Sequence, residues 1–435
     1  MFITYSFNYT RSADMEFSLF GQRFTQFSGI TQLMHDLNEG IRSGDDVIML
    51  GGGNPAQIPA MIERFNSEAQ QLLHSGGLVA AMSNYDGPQG KNCFTSALAT
   101  LLNKTYGWTL TEKNIALTNG SQNAFFYLFN LFAGQFSEDK HKKVLFPLAP
   151  EYIGYTDTAL SDNFFETVKP IIELLDDGLF KYHVDFDNLH ITKEIGLICV
   201  SRPTNPTGNV LTDEEMRRLD ALAKKHNVPL LIDNAYGTPF PNIIFEPVDP
   251  IYNDNTILCM SLSKLGLPGT RCGIVIGNED VISAISNLSG IINLAPGSLG
   301  PMLAQSLVET GDIISLSENV IKPYYYKKAQ QAVDWLQQQI TDPRFRIHKP
   351  EGAIFLWLWF KDLPITSQEL YERLKKRGVL IVSGHHFYPG LTEDWRHTHE
   401  CIRMNYSQSD DDVQRGIIII AEEVQKAYST MATTL

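Results

Sequence analysis

Short apolar segments recur through the middle of the chain, and most are rich in branched side chains. They lie at residues 115–118, 144–146, 197–200, 230–233, 257–261 and 273–276. Helical stretches separate several of them: residues 122–132 are apolar nearly all round, and residues 212–226 are amphipathic and begin with a capping box of Thr212 and Glu215. Apolar strands that alternate with helices are typical of a mainly parallel sheet covered on both faces. We therefore predict an α/β fold with its ligand at the carboxyl ends of the strands.

The pattern changes after residue 320. A helix with many Lys and Gln side chains is followed by a Trp-rich strand at 355–360, a helix at 367–377 and a strand at 379–382. This change predicts a second, smaller domain. The predicted divisions are a flexible N-terminal extension at 1–14, a segment at 15–50 that joins the small domain, a large domain at 51–320 and a small α+β domain at 321–435.

The composition is that of a globular protein, since 43% of the 435 residues are hydrophobic and 19% are charged. The formal net charge of −14, with no dense run of Lys and Arg, argues against nucleic acid as a partner. The longest apolar run, residues 353–360, is far shorter than the ~18 residues of a membrane-spanning helix, and the N-terminus has no signal-peptide pattern. We predict a cytoplasmic protein with no membrane partner.

Neither the cysteines nor the histidines form a metal-binding pattern. The five cysteines lie far apart without a C-x-x-C pair, which argues against a disulfide framework and against a zinc site. His385 and His386 are adjacent and His397 and His399 follow them, but no H-x-x-x-H spacing is present. We predict no metal, and buried positions for most of the cysteines.

Polar side chains follow the predicted strands, at the edge where a parallel sheet binds its ligand. Lys264 is the residue best suited to chemistry, because Ser261, Ser263 and Arg271 surround it in sequence. Their hydroxyl and guanidinium groups could hold a phosphate, and a nearby cation would lower the pKa of the lysine amine toward its nucleophilic form. A lone lysine in a loop is more often a solvated surface charge, so this interpretation depends on its neighbours.

Asp233 ends an apolar strand, where an ionised carboxylate needs a partner. A turn would supply one, and so would the protonated ring nitrogen of pyridoxal phosphate. Ser121 and Gln122 open a helix after a glycine, where free N–H groups either bind a phosphate or are satisfied by ordinary capping.

Four more side chains suit the same kind of ligand. Asn205 lies in N-P-T-G, which is by default a turn, but its amide could donate to a phenolate oxygen, as could the hydroxyl of Tyr236. Tyr152 could stack on a flat ring, although an aromatic side chain beside a strand is more often part of the core. Arg403 has apolar neighbours in sequence, a setting that suits bidentate capture of a substrate carboxylate.

Taken together, these motifs resemble the fold-type I aminotransferases that use pyridoxal phosphate. S-x-S-K followed by G-x-R-x-G is present as SLSKLGLPGTRCG at residues 261–273, with N-P-T-G at 205–208 and D-x-x-Y at 233–236. The similarity runs from Met15 to the C-terminus through segments such as GGGNPAQIP, NYDGPQG and CIRMNY. It implies the fold-type I architecture, in which a mainly parallel sheet covered by helices binds the cofactor and a smaller α+β domain completes the site.

The resemblance implies roles around the cofactor ring. Lys264 resembles the lysine that bonds covalently to the cofactor and then moves the proton between the substrate Cα and the cofactor C4′. Asp233 resembles the aspartate that keeps the pyridinium nitrogen protonated. Asn205 and Tyr236 match the pair that hydrogen-bonds the ring O3′, and Tyr152 matches the aromatic residue that stacks on the ring.

The same resemblance implies how the phosphate is held. The matching residues are Ser121, Gln122, Ser261 and Arg271, with Ser263 a weaker member. Tyr85, in NYDGPQG, resembles the tyrosine that reaches the phosphate of the neighbouring subunit, which implies a homodimer.

For the substrate, Arg403 matches the anchor of the α-carboxylate, with Asn205 and Gly53 beside the place where the family closes over the substrate. Within the family, the chain is most similar to the members that move the amino group of L-valine to pyruvate by a ping-pong mechanism, giving 2-oxoisovalerate and L-alanine. The resemblance therefore implies amino acids and 2-oxo acids as the small-molecule partners. The sequence contains no motif for a second arginine that would bind an ω-carboxylate, which fits a neutral substrate.

Two features limit the resemblance, and two rival functions stay open. Glu151 replaces the small hydroxyl residue common before the stacking tyrosine, and no family role applies to the residues before Met15. The first rival is another pyridoxal phosphate reaction, either a β-lyase or an aminotransferase for other neutral or aromatic substrates. The second is a regulator that senses the cofactor, but such a protein needs a DNA-binding module, which neither the short N-terminal segment nor the acidic charge provides.

Overall fold

The computed structural model describes residues 16–25, 28, 29, 31, 34, 35 and 47–432. The extension predicted at 1–14 lies outside the described residues, as does much of the segment predicted at 15–50. The end of that segment forms the short strand β1, which pairs in parallel with residues 379–380.

The strands position the residues of the site. They are β1 (Ile48–Met49), β2 (Ile115–Thr118), β3 (Gly134–Ser137), β4 (Lys140–Phe146), β5 (Phe165–Thr167), β6 (Ile171–Leu174), β7 (Leu179–His183), β8 (Ile195–Ser201), β9 (Leu230–Asp233), β10 (Thr256–Ser261), β11 (Gly273–Ile276), β12 (Phe345–His348), β13 (Phe355–Phe360), β14 (Val379–Leu380), β15 (Val382–Ser383) and β16 (Cys401–Asn405).

The α-helices pack on these strands. They are α1 (Leu19–Phe24), α2 (Pro59–His74), α3 (Gly77–Ser83), α4 (Asn92–Tyr106), α5 (Ser121–Phe132), α6 (Asp213–Lys225), α7 (Glu279–Asn293), α8 (Leu299–Thr310), α9 (Asp312–Leu316), α10 (Lys322–Gln339), α11 (Ser367–Lys376) and α12 (Asp410–Ala432). Shorter 3-10 turns lie at Glu112–Asn114, Ile153–Thr158, Pro268–Thr270, Gly384–Phe387 and Arg396–His399, and a π-helical turn at Ser317–Ile321.

The main sheet has the strand order β2-β11-β10-β9-β8-β4-β3, with β5 also paired to β4. The pairs β10–β9, β9–β8, β8–β4 and β4–β5 are parallel, whereas β11 is antiparallel to both of its neighbours and β3 is antiparallel to β4. The prediction of a mainly parallel sheet in an α/β fold is confirmed.

Alternation along the strands decides which side chains face which layer of helices. In β9, Leu230 and Ile232 lie in the core that includes Leu219 of α6, whereas Leu231 lies in the opposite core with Phe125 of α5. Because successive side chains of a strand point to opposite faces, Asp233 lies on the same side as Leu231. The same rule places Ser201 at the end of β8 on the α5 side of the sheet.

The second sheet has the order β15-β16-β13-β12-β7-β6. Two of its strands, β6 and β7, come from within residues 51–320. They belong to this sheet because β7 pairs in parallel with β12 and β6 pairs with β7. The sheets therefore do not follow the boundary predicted at residue 320. The single strand predicted at 379–382 is wrong, because residues 379–380 pair with β1 whereas residues 382–383 pair with β16.

Two local predictions are confirmed, the capping box before α6 and the burial of most of the cysteines. The capping box at the start of α6 is formed, because Thr212 Oγ1 accepts from the Glu215 N–H and the Glu215 side chain accepts from the Thr212 N–H. Four of the cysteines are buried, and Cys93 is exposed. Within the described ranges, no helix is both long enough and apolar enough to cross a membrane.

Candidate active site

The candidate site lies at the carboxyl ends of β8, β9 and β10, between the N-terminus of α5 and strand β16 of the second sheet. Lys264 is in the turn after β10. Its Nζ donates a 2.5 Å hydrogen bond to the Gly53 carbonyl and lies 5.5 Å from the centre of the Tyr236 ring. The sequence separation of these groups shows that distant parts of the chain meet at this amine.

The surroundings of Lys264 favour its neutral amine. Burial, together with the positive charges of Arg403 and Arg271, lowers the pKa of Lys264 to about 8, against the opposing effect of Asp233. An ordinary lysine is half deprotonated only at pH 10.5. At neutral pH Lys264 therefore has an appreciable fraction of the form that attacks a carbonyl carbon.

Asp233 ends β9 and has two hydrogen bonds. Its Oδ2 accepts from the Tyr155 hydroxyl at 2.7 Å, and its Oδ1 accepts from the Ala235 N–H at 3.0 Å. Burial raises the pKa of Asp233 to about 6, while these hydrogen bonds and the charge of Lys264 act to lower it. A cationic ring nitrogen beside this carboxylate would offset the cost of burying its charge.

The N-terminus of α5 forms an anion-binding corner with Arg271. Gly120 has a φ of +86°, and a Cβ added to it would lie 2.2 Å from Arg271 Nη2, so the guanidinium occupies the space that a side chain would fill. The N–H groups of Ser121 and Gln122 lie in the first turn of the helix, where helical N–H groups have no partner within the helix. This corner has the donors and the positive charge that a phosphate requires.

The other residues predicted to bind the phosphate make hydrogen bonds to protein groups. Ser261 Oγ donates to the Cys272 carbonyl oxygen at 3.3 Å and accepts from the Ser263 N–H at 2.9 Å. Ser263 therefore contacts Ser261 through its backbone N–H. The Gln122 side chain donates to the Gly154 carbonyl at 2.8 Å, while its buried Oε1 has no partner. The Gln122 backbone N–H, in the first turn of α5, is a second donor of this residue for a phosphate.

Arg403 is a buried cation, only 2% exposed, on β16. Its Nη1 donates to Asn205 Oδ1 at 2.8 Å, its Nη2 donates to the Gly51 carbonyl at 2.6 Å, and its buried Nε has no partner. The guanidinium lies 4.1 Å from the centre of the Phe355 ring. Burial lowers the pKa of Arg403 to about 10, so it stays charged at neutral pH with donor capacity to spare. That is the arrangement expected of a carboxylate anchor.

The aromatic residues frame the same space. Tyr236 is buried, and Tyr152 is half-buried with its ring 5.3 Å from that of Tyr155 at an angle of 88°. A Cβ at Gly154 would lie 2.4 Å from the Tyr152 ring, so the glycine makes room for this orientation. Because Asn205 Oδ1 accepts from Arg403, its amide NH2 is the end that can donate to a ligand.

Tyr85 is the predicted residue that the structure does not bring to this site. Its side chain is 84% exposed. The next residue, Asp86, is fixed by an ion pair with Lys91 at 3.2 Å and by a 2.5 Å hydrogen bond from Ser298. The loop is thus held in place while Tyr85 points outward, and its reach into a neighbouring subunit stays a prediction.

Sequence reasoning missed Tyr155, Ser201 and Asn405. Tyr155 binds Asp233 directly, and its ring is stacked on that of Phe146 at 5.6 Å. Asn405 donates to the Gly52 carbonyl at 2.6 Å, next to the bond that Arg403 makes to Gly51. The available signals were Ser201 at a strand end and Asn405 two residues after Arg403, which places both side chains of β16 on one face.

The residues brought together fit pyridoxal phosphate by their chemistry. A reactive amine, an acid partner for a ring nitrogen and an anion-binding corner lie together, and the buried Nε of Arg403 has no hydrogen-bond partner in the protein. Among the described residues, no group of three His, Cys, Asp or Glu side chains is arranged to hold a metal ion. The rings of His385 and His386 are instead 3.9 Å apart, and burial lowers the pKa of His385 to about 4.

Comparison with known proteins gives consistent findings. The family model of class I and II aminotransferases matches residues 45–420. The valine-pyruvate aminotransferase of Escherichia coli (strain K12) is 58% identical over 95% of this chain and 99% of its own. The crystal structure of valine-pyruvate aminotransferase from Salmonella typhimurium LT2 is 58% identical with a TM-score of 0.86, covering 92% of this chain and all of that one. A putative amino-acid aminotransferase from Psychrobacter arcticum 273-4 is 50% identical with a TM-score of 0.93, covering 95% and 99%.

Proposed function

Because this chain belongs to the class I and II aminotransferases, we propose that it moves the amino group of L-valine to pyruvate, giving 2-oxoisovalerate and L-alanine in two half-reactions. Pyridoxal phosphate is the cofactor of this class, and an amino acid and a 2-oxo acid are its substrates. The observation that carries the proposal is the buried amine of Lys264, whose pKa responds to the charges of Arg403, Arg271 and Asp233.

Lys264 has the central chemical role. When bound, the cofactor supplies an electron sink for the electron pair released at the substrate Cα. Lys264 Nζ holds and moves the proton at that carbon, first as a general base and then as a general acid. A pKa of about 8 suits both tasks near neutral pH, because neither protonation state is strongly disfavoured.

The other residues orient and charge the site. Asp233 holds a negative charge where the ring nitrogen would lie, and Arg271 with the first turn of α5 holds the phosphate. Asn205 and Tyr236 would hydrogen-bond the ring oxygen, and Tyr152 would cover the ring face. Arg403 binds the α-carboxylate common to both substrates, because its orphaned Nε and its flat guanidinium suit that group.

The choice of valine and pyruvate is supported by the relatives that carry this activity in their names, at 58% identity over nearly the whole chain. The site itself supports a substrate with one carboxylate. Arg403 supplies the cation for the α-carboxylate, and the sequence has no motif for a second arginine that would meet an ω-carboxylate.

We also propose a homodimer in which Tyr85 contacts the cofactor phosphate of the neighbouring subunit. Support comes from exposed apolar side chains on the helix before Tyr85, Val79 and Met82, and at the end of α7, Ile291 and Leu294. The end of α7 adjoins the Tyr85 loop, since a Cβ at Gly290 would lie 3.3 Å from Pro88 Cβ. Exposed apolar side chains on adjoining segments are typical of a surface that a partner covers. A cytoplasmic location stays a proposal based on sequence.

The test compares substrates in a product assay. We expect the purified protein with added cofactor to convert L-valine and pyruvate into equal amounts of 2-oxoisovalerate and L-alanine, and to form neither product when either substrate is omitted. Lys264→Ala is the control and should lose turnover by orders of magnitude. Release of ammonia from a single amino acid without a 2-oxo acid would support a β-lyase instead, and a strong preference for another donor would keep the class and reject valine.

A further inference from the structure

Glu151 is a buried acid that the proposed mechanism does not use. It precedes Tyr152 in the turn after β4 and is only 1% exposed. Its Oε2 lies 2.5 Å from Ser201 Oγ, and its Oε1 accepts from the Ser201 N–H at 3.0 Å. The Glu151 N–H donates to the Phe387 carbonyl at 2.8 Å, which fixes the backbone of the turn. The carboxyl is therefore held against the end of β8 by both of its oxygens.

A line of hydroxyl groups connects this carboxyl to Asp233. Ser201 Oγ lies 3.4 Å from the Tyr155 hydroxyl, which donates to Asp233 Oδ2 at 2.7 Å. Ser201 and Asp233 are also directly opposite each other in the pairing of β8 with β9. Glu151, Ser201, Tyr155 and Asp233 thus form one continuous polar chain inside an otherwise apolar layer, and the chain ends at the acid that faces the ring nitrogen.

The two carboxyl groups, Glu151 and Asp233, differ in pKa. Burial, with the negative charge of Asp233, raises the pKa of Glu151 to about 8 although the Ser201 hydrogen bonds lower it. The other titratable groups that face it are Tyr155 and Cys199, and burial raises the pKa of each well above its ordinary value, so both are neutral. The pKa of Asp233 is about 6, helped down by Tyr155 and Lys264. Asp233 is therefore the carboxyl that ionises first.

The position of the Glu151 proton decides the direction of the hydrogen bonds. When Glu151 is neutral it donates to Ser201, Ser201 donates to Tyr155, and Tyr155 donates to Asp233, so every donor points toward the ionised acid. When Glu151 is ionised, the single Ser201 proton turns back toward Glu151, and a second negative charge is buried near Asp233.

We propose that Glu151 is a positioning residue that keeps its proton near neutral pH and, through Ser201 and Tyr155, directs the hydrogen bond that holds Asp233 as the ionised partner of the ring nitrogen. This inference rests on the proposed pyridoxal phosphate site for its consequence, but not for the protonation of Glu151 itself. Glu151→Gln imitates the neutral acid, because a glutamine amide donates to Ser201 Oγ while its oxygen accepts from the Ser201 N–H. Glu151→Met has a similar volume and can do neither.

The first test measures the proton directly. Infrared spectra of the cofactor-free protein and of Glu151→Gln are compared at neutral pH, where Asp233 is already ionised. We expect the wild-type protein to have a carbonyl band of a neutral carboxyl group that the variant lacks, and this band to disappear as the pH rises through about 8. Identical spectra in the carboxyl region at neutral pH would mean that Glu151 is ionised, which would overturn the proposal.

The second test measures the affinity for pyridoxal 5′-phosphate against pH. At neutral pH we expect the dissociation constant of Glu151→Gln to stay within about twofold of the wild-type value and that of Glu151→Met to rise about tenfold. Lys264 titrates in the same range in both proteins, so the Glu151 contribution is the difference between them: between neutral pH and about pH 9.5 the ratio of the two dissociation constants should move away from its value at neutral pH. Equal losses in both variants, or the same pH profile for wild type and Glu151→Gln, would contradict the proposal.

The two tests also separate this inference from the proposed function. If the protein does not bind the cofactor, the affinity measurement fails for wild type and variants alike, while the infrared result still stands. If the protein binds the cofactor but the infrared band is absent, the aminotransferase proposal is untouched and the role of Glu151 is wrong.

Discussion

Arg403 on the second sheet donates a 2.8 Å hydrogen bond to Asn205, which lies in the loop after β8 of the main sheet. The two residues are 198 positions apart in sequence. Their contact brings the proposed anchor of the substrate carboxylate to the proposed partner of the ring oxygen. A change in how the two sheets meet would therefore alter substrate and cofactor binding together.

Arg403→Lys should lower the catalytic efficiency with both substrates to a similar extent. Lysine keeps the charge but presents a single ammonium group, which cannot bond to Asn205, the Gly51 carbonyl and a carboxylate in the flat geometry of a guanidinium. We expect kcat/KM for L-valine and for pyruvate to fall by about a hundredfold each, the equivalent of ~2.7 kcal/mol. Steady-state kinetics with each substrate varied in turn measures this.

The matched control for that variant is Arg346→Lys. Arg346 lies on β12 of the same sheet, and its bond to the Leu179 carbonyl is long, at 3.4 Å. Its kinetics should match the wild type. A loss confined to one of the two substrates in Arg403→Lys would argue against a shared carboxylate anchor.

The depressed pKa of Lys264 predicts how covalent attachment of the cofactor depends on pH. Burial and the charges of Arg403 and Arg271 lower the pKa to about 8, so the reactive neutral amine increases as the pH rises through that value. We expect the rate at which cofactor-free protein bonds to pyridoxal phosphate to reach half its maximum near pH 8, in a stopped-flow absorbance experiment. Lys264→Ala should show no covalent attachment, and a rate that still climbs steeply above pH 10.5 would mean that the amine is not perturbed.

Gly120→Ala tests the anion-binding corner. An added Cβ would lie 2.2 Å from Arg271 Nη2, so the guanidinium must move away from the start of α5. We expect the dissociation constant for the cofactor to rise at least about tenfold, measured by fluorescence titration.

Gly107→Ala is the control for backbone strain alone. Gly107 also has a positive φ, of 71°, but nothing lies within 4 Å of the Cβ that would be added. Gly107→Ala should lose about 1 kcal/mol of stability, seen as a fall in Tm, because alanine disfavours positive φ. Gly120→Ala should lose more, because its backbone, with φ of 86° and ψ of 159°, is in a region that is almost exclusive to glycine and its added Cβ meets Arg271. If both weakened the cofactor equally, the corner would have no specific role.

Mixing two defective variants tests the shared site of the homodimer. Lys264→Ala keeps Tyr85, and Tyr85→Ala keeps Lys264, so a mixed dimer contains one site with both residues intact. After equal mixing and subunit exchange, we expect about a quarter of the wild-type activity, because about half of the dimers are mixed and each has one complete site. Activity no greater than the sum of the separate variants would mean that Tyr85 serves its own chain or no site at all.

The sequence was most informative where residues are buried on both sides. The predicted segments 115–118, 230–233 and 273–276 coincide with β2, β9 and β11, because each is a short, mainly apolar run with polar or glycine residues at its ends. The direction of β11 could not be predicted in the same way. Strand direction depends on the connection before it, and apolar character is the same for a parallel and an antiparallel strand.

Contacts between distant segments of the chain could not be predicted from the sequence. The break between β14 and β15 exists because residue 379 pairs with Ile48 whereas residue 382 pairs with Arg403, and neither partner is local. The site was predicted through motifs that lie together in sequence, such as those around Lys264. Glu151 drew attention only as an unusual residue, because its partner Ser201 is 50 positions away and the hydrogen bond between them has no local signature.

The most direct test of the account is the visible absorption spectrum of the purified protein with bound cofactor, followed on one sample through the two half-reactions. The account predicts a band from cofactor bonded to Lys264 that is lost when L-valine is added and returns when pyruvate follows. A cofactor band that ignores L-valine but responds to another amino acid would contradict the proposed substrate. The absence of any such band after adding pyridoxal phosphate would contradict the role of Lys264 itself.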